Sequence, residues 1–229
     1  MLKKELETIL NNVNDYKFEY PFTHYVIDDL FNDEILKEIN KPEVLLNLRG
    51  RVSSFDNHLE KKIGISHLDE TSGKVLEILR YLNSEEFTNF LSKLTGIDNL
   101  IVDNEFNGGG VHIIPKGGKL GVHVDFSRAI FDESKYRRLN VLLYLNENWH
   151  CDWEGALELW DKKPSEGGQC VNKLYPYFNR IVIFGTKKDS WHGHPTPLNC
   201  PEGQYRKSLA TYYYTTEPGD DLENHSTIF

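Results

Sequence analysis

After residue 100 the chain breaks into short runs of β-forming residues at close spacing. That texture limits its fold more than any other feature. The runs cover roughly 111–114, 119–124, 138–145, 156–160, 171–175, 180–184, 189–193 and 206–215, with Gly, Pro, Asn and Asp between them. About eight short strands separated by turn signals predict a sandwich or a jelly roll. The first hundred residues read differently. Leu2, Leu6, Ile9, Leu10 and Val13 form one helical stripe. Asn32 or Asp33 can cap a short helix through Ile35, Leu36 and Ile39, which Pro42 would stop. Residues 74–95 predict two helices. Ser84 suits the cap of the second, Glu85 and Glu86 suit its positive first turn, and Gly96 suits its C-terminal end. The elements do not alternate as βαβ units, so a Rossmann sheet is disfavoured. The expectation is an α+β chain in one domain. A jelly-roll core, 101–216, carries a helical N-terminal part, 1–100, packed on it, and ends in a C-terminal tail, 217–229.

Charge and composition remove several function classes. The 229 residues hold 26 Lys and Arg against 35 Asp and Glu, a formal net charge of −9. No basic run exceeds two residues, whereas a non-specific nucleic-acid binder needs basic patches. No apolar stretch approaches the ~18 residues of a membrane span. The start, MLKKELETILNN, lacks the apolar core of a signal peptide. Cys151, Cys170 and Cys200 are odd in number and form no CxxC pair, so they read as reduced thiols without metal or redox work. A cytoplasmic protein without nucleic-acid or membrane partners is expected. Asn224-His225-Ser226 is then a chance match to a glycosylation sequon. Gly108-Gly109-Gly110 is not a phosphate loop, because no GK[ST] ending and no clear helix follow it.

The chemistry concentrates in Gly121-Val122-His123-Val124-Asp125-Phe126. Residues two apart on a strand share a face, so His123 and Asp125 project together. Far downstream comes Asp189-Ser190-Trp191-His192-Gly193-His194-Pro195, which a jelly roll can bring alongside. Two histidines and one carboxylate on one side of a metal leave the opposite positions open. That facial triad suits a non-heme Fe(II) oxygenase. A second HxD, His67-Leu68-Asp69, lies in a polar loop and reads as incidental, its Asp suiting a helix cap. On one face of the last strand stand Arg206, Ser208, Ala210, Tyr212 and Tyr214. An Arg followed two residues on by a Ser is built to hold a carboxylate. Asn140, Leu142 and Tyr144 share a face of another apolar strand, where the Tyr144 hydroxyl needs a partner. Taken singly, His123 and Asp125 could be an ion pair, Arg206 a solvent-facing strand end, and Tyr144 a core tyrosine. Trp149, Trp153, Trp160 and Trp191 read as core.

The ordered series HVD, RRLNVLLYLNENW, EGALELWD, NRIVIFGT, SWHGHPTPL and RKSLATYYYT resembles the 2-oxoglutarate/Fe(II)-dependent dioxygenases, in their prolyl 4-hydroxylase-like branch. The likeness spans roughly 105–216. It implies a double-stranded β-helix core, cupin-like, with Fe(II) as metal, 2-oxoglutarate as cosubstrate, O₂ as oxidant and ascorbate as an optional reductant. It implies decarboxylation of 2-oxoglutarate to succinate with hydroxylation of a substrate C–H bond. His123, Asp125 and His192 match the iron ligands, and His194 is a rival to His192. Arg206 and Tyr144 match the residues that hold the distal carboxylate, with Ser208 a weaker match. His112, on the strand before HVD, is a further candidate for contact with cosubstrate or substrate. The family's usual GG before EGALELWD is Gly155-Ala156 here, and 198–203 reads as an inserted loop. A peptidyl or free amino acid, or a small metabolite such as a sugar, would be the substrate, gripped by 50–70 and 126–137. Two other readings fit parts of the pattern, a noncatalytic cupin-like binding module and a zinc hydrolase. A binding module has no need for an Arg placed to receive a dicarboxylate, and a hydrolase would need a Glu or His base near the metal, which does not stand out in these motifs. The oligomeric state is not legible.

Overall fold

The computed structural model describes residues 1–219 and 224–229. Its helices are α1 (Leu6–Asn11), α2 (Asp33–Ile39), α3 (Pro42–Leu46), α4 (Gly73–Leu82) and α5 (Glu85–Thr95). Four strands precede α4, namely β1 (Lys17–Phe18), β2 (His24–Asp28), β3 (Arg51–Asp56) and β4 (Glu60–Ser66). Nine follow α5: β5 (Ile101–Val102), β6 (Gly110–Pro115), β7 (Lys119–His123), β8 (Tyr136–Tyr144), β9 (Leu157–Trp160), β10 (Cys170–Leu174), β11 (Arg180–Gly185), β12 (His192–His194) and β13 (Tyr205–Thr215). Among the described residues these strands join one curled antiparallel sheet. The order is β1-β2-β11-β8-β13-β6-β4-β7-β12-β9-β10, with β3 on β4 and β5 on β13. Neighbours far apart in sequence, such as β7 beside β12, are what a double-stranded β-helix requires. The α+β expectation is met.

Strand alternation sorts the two faces of this sheet. Ile181 and Ile183 of β11, Val141 and Leu143 of β8, and Leu209 and Tyr213 of β13 pack with the helices in the main core. Leu76 and Leu79 of α4 and Phe87 and Leu91 of α5 meet them there. Each such side chain contributes roughly 1.5–3 kcal/mol by leaving water. The intervening residues Val182, Phe184 and Tyr144 face the other way, into a smaller cluster with Leu157 and Leu159. The inner face is therefore where polar side chains can gather.

The two long helices form for local reasons. Ser84 Oγ accepts a hydrogen bond from the Phe87 N–H at 3.3 Å, and Gly96 closes α5 in the left-handed region at φ 73°. Phe87, Phe90, Leu91 and Leu94 bury one stripe. Sheet tyrosines take up the open carbonyls at both helix ends. The Tyr213 hydroxyl donates to Leu82 O at 2.6 Å, and the Tyr25 hydroxyl to Leu94 O at 2.9 Å.

Three expectations need correction. The N-terminal part is not purely helical, since β2 joins β11 and β4 lies between β6 and β7. β3 escapes a pattern search because nearly all its residues are exposed, so no apolar alternation marks it. Pro42 does not merely stop α2; it opens α3 at a first-turn position, where its missing N–H costs nothing. The 189–193 run becomes a strand only at His192, because Ser190 folds back on Lys187 through two hydrogen bonds.

Candidate metal centre

β7 ends on His123 and β12 begins on His192, and the two residues are direct cross-strand partners. Their rings lie 4.5 Å apart between centroids. The His123 Nδ1–H donates to Gly121 O and the His192 Nδ1–H to Ser190 O, each at 2.8 Å. A carbonyl can only accept, so each ring keeps Nε2 bare, as a metal ligand must be. Both Nε2 atoms face Asp125, at 3.5 Å from Oδ1 for His123 and 3.4 Å from Oδ2 for His192. Ligand atoms of all three residues lie within 4.8 Å of one another. Burial pushes the His192 pKa down to about 4, which keeps the imidazole neutral. This is the donor set that Fe(II) takes.

Asp125 is fixed from behind. Its Oδ2 accepts from Asn140 Nδ2 at 2.6 Å and pairs with Arg137 Nη2 at 3.2 Å. Arg137 in turn donates through Nε and Nη2 to Asn140 Oδ1, at 2.9 and 2.7 Å. The guanidinium lies 3.5 Å from the Tyr212 ring centroid and is only 1% exposed. Burial works against an ionised Asp125, but Arg137 and then the two histidines outweigh it and hold the carboxyl well below the usual carboxylate range.

The same sheet holds a buried cation with no anion among the described residues. Arg206 is 4% exposed. Its Nε donates to Gly155 O at 2.7 Å and its Nη2 to Tyr144 Oη at 3.2 Å. Among the described residues no carboxylate pairs with it, and burial lowers its pKa. Gly155 is required here for two reasons. Its φ is 76°, and a Cβ would stand 2.5 Å from Leu198 Cδ2 and 3.1 Å from Arg206 Cδ. Ser208 is buried cross-strand from both Tyr144 and His112. His194 is buried, and neither ring nitrogen has a hydrogen-bond partner among the described residues. A buried guanidinium and orphaned imidazole nitrogens call for an absent polar ligand. A dicarboxylate fits that demand.

Of the residues expected from sequence, His123, Asp125 and His192 converge, while Arg206, Tyr144 and Ser208 are buried together, Arg206 on the Tyr144 hydroxyl and Ser208 cross-strand from Tyr144. His112 stands on the wall of a cavity of about 270 Å³ shared with His123 and Asp125, its Nε2–H donating to Gly108 O at 3.2 Å. The hairpin β3–β4 supplies Ser53, Phe55 and Lys62 to that cavity, and Ile130 comes from the 126–137 loop. Asp69 caps a 3₁₀ turn through Thr71 N–H, 2.9 Å. Trp149 and Trp191 are buried as core. Sequence reasoning missed Arg137. The parity of β8 aims it toward the helices, but the register with β13 shifts between Tyr213 and Tyr214, and that bulge turns it inward. The sequence also gave no sign that Asn224–Phe229 returns to the site, where Phe229 lies 5.4 Å from the His123 ring.

The sequence model of the 2OG-Fe(II) oxygenase superfamily matches residues 109–214. Prolyl 3-hydroxylase OGFOD1 of Mus musculus is 27% identical over 214 residues, which cover 91% of this chain and 35% of that protein. The chain thus spans about a third of the mouse protein's length. A prolyl hydroxylase of Trichoplax adhaerens, solved with a hypoxia-inducible-factor peptide fragment, has a TM-score of 0.58 at 20% identity, covering 91% of this chain and 88% of its own. A Pseudomonas putida prolyl-4-hydroxylase has a TM-score of 0.56 at 13% identity, covering 91% and 98%. These two likenesses establish the fold. The family-model match and the mouse relative support a likeness to the 2-oxoglutarate/Fe(II)-dependent dioxygenases, in their prolyl hydroxylase-like branch.

Proposed function

We propose that this chain is an Fe(II)- and 2-oxoglutarate-dependent hydroxylase acting on an unactivated C–H bond, with His123, Asp125 and His192 as metal ligands. Bound iron would supply O₂ activation coupled to decarboxylation of 2-oxoglutarate, with ascorbate as an optional reductant. The rest of the work falls to the chain. Nδ1 hydrogen bonds to two carbonyls aim the Nε2 atoms of His123 and His192. Asn140 and Arg137 keep Asp125 ionised and set its rotation. Arg206 and Tyr144 take the distal carboxylate of 2-oxoglutarate, and Ser208 and His112 border that pocket. The cavity walls from β3, β4 and Phe126 shield the reacting bond from water.

One observation carries the reading: among the described residues a buried arginine has no counter-ion, in the same curled sheet as a two-His, one-Asp cluster. A glycan-binding module has no use for that pairing. By analogy with the mouse relative, the substrate class we favour is a prolyl residue within a peptide, with a free amino acid or small metabolite as the other outcomes of a screen. No helix of the structure is long and apolar enough to cross a membrane. Three unpaired cysteines support a reducing, cytoplasmic setting. The test couples metal analysis to a substrate screen read by succinate formation. Iron at one per chain and 2-oxoglutarate turnover support the proposal. Zinc at the site with hydrolytic activity, or ligand binding without turnover, would replace it.

A further inference from the structure

The segment Asn224–Phe229 runs antiparallel to the stretch that carries Asp125, joined to it by an isolated β-bridge between Val124 and Ile228. Val124 N–H donates to Ile228 O at 2.9 Å and Ile228 N–H to Val124 O at 3.0 Å. Farther along, Ser127 N–H donates to His225 O at 3.0 Å, and the His225 N–H donates to Ser127 Oγ at 2.8 Å. Burial alternates along the segment: His225, Thr227 and Phe229 are half-buried, whereas Asn224, Ser226 and Ile228 are exposed. That is the pattern of a strand with one face on the protein. Thr227 and Phe229 line the metal-side cavity. The Phe229 ring sits against His123 and so close to Gly121 that a Cβ there would lie 3.2 Å from it.

Most of this grip is on backbone, so it does not depend on the sequence held. We propose that the Val124–Ser127 edge is a strand-docking site for an extended peptide, and that Asn224–Phe229 is its resident occupant in cis. An incoming peptide takes the two Val124 hydrogen bonds and the Ser127 N–H. It seats one side chain where Phe229 lies, next to His123. The segment must leave for this to happen, so it also sets how readily the site opens. The proposal rests on the hydroxylase reading for the fate of the docked peptide. Docking itself needs neither metal nor turnover.

The probe is an N-acetylated hexapeptide of sequence Asn-His-Ser-Thr-Ile-Phe, titrated calorimetrically in the absence of metal. In the full chain carrying Ile228→Pro and Phe229→Ala, the resident segment loses its Ile228 N–H bond and its anchor ring. This variant should bind the hexapeptide at least ~10-fold more tightly than the wild-type chain, in which the edge is occupied. Methylating the peptide nitrogen of its Ile should cost about tenfold, the loss of one backbone hydrogen bond. A second measurement uses the wild-type chain. Excess hexapeptide should speed amide exchange at Ile228 while Val124 stays protected. Equal affinity in both chains, indifference to N-methylation, or unchanged Ile228 exchange would overturn the docking site. Loss of 2-oxoglutarate turnover with peptide binding intact would instead count against the hydroxylase reading alone.

Discussion

Arg206 is the residue on which the chemistry and the stability of this protein pull in opposite directions. A buried cation without a partner is costly, so removing it should relieve the empty protein. Arg206→Met should therefore raise the melting temperature of the ligand-free chain, while 2-oxoglutarate no longer stabilises it. Arg206→Ala should leave metal binding largely intact and raise the KM for 2-oxoglutarate on the order of a hundredfold, from the ~3–5 kcal/mol that a broken buried charge pair costs. Arg206→Lys should recover part of this, because an ammonium cannot make the forked contact. Tyr144→Phe should cost about 1 kcal/mol. Differential scanning calorimetry and the 2-oxoglutarate dependence of succinate formation read these outcomes. A parental KM in Arg206→Ala would move the carboxylate elsewhere. The pair behind Asp125 makes a separate prediction. Asn140→Leu removes a hydrogen bond to a charged group, worth ~1.5–3 kcal/mol, and should weaken Mn(II) binding by ten- to a hundredfold without altering the Arg206 pocket. Calorimetric Mn(II) affinity unchanged from wild type would show that Asp125 needs no such support.

The elements tell which features a sequence exposes and which it hides. α5 was readable because Ser84, Glu85, Glu86 and Gly96 each satisfy a local rule at the right distance. Ser84→Ala should cost ~1 kcal/mol, or about 2–4 °C in Tm for a chain of this size. A melting temperature unchanged in that variant would mean that packing alone holds the helix start. His123, Asp125, Arg206 and Tyr144 were readable because period-two alternation fixes a side on any regular strand. Arg137 was hidden because a bulge breaks that period between β8 and β13. β3 was hidden because its exposure removes the apolar signal, although it pairs with β4 along its whole length. The return of Asn224–Phe229 is a long-range contact, and no local rule predicts one.

At the scale of the whole molecule the curled sheet assigns one face to stability and the other to function. Helices α4 and α5 cover the outer face with the main core. The inner face gathers three residues that could hold a metal ion, a buried cation and His194, whose ring nitrogens find no partner among the described residues. A protein built this way is stabilised by its ligands through mass action. Mn(II) at about 100 times its Kd should add ~2.7 kcal/mol to the wild-type chain. His192→Ala should lose that gain and His194→Ala should keep it. The reverse result would make His194 the ligand. The most direct test of the central claim is succinate formation from 2-oxoglutarate under air with Fe(II), in the wild-type chain and in His123→Ala and Asp125→Ala. The account predicts Fe(II)-dependent succinate in the wild type and none above background in either variant. Succinate formed by both variants at the wild-type rate under saturating Fe(II) would contradict it.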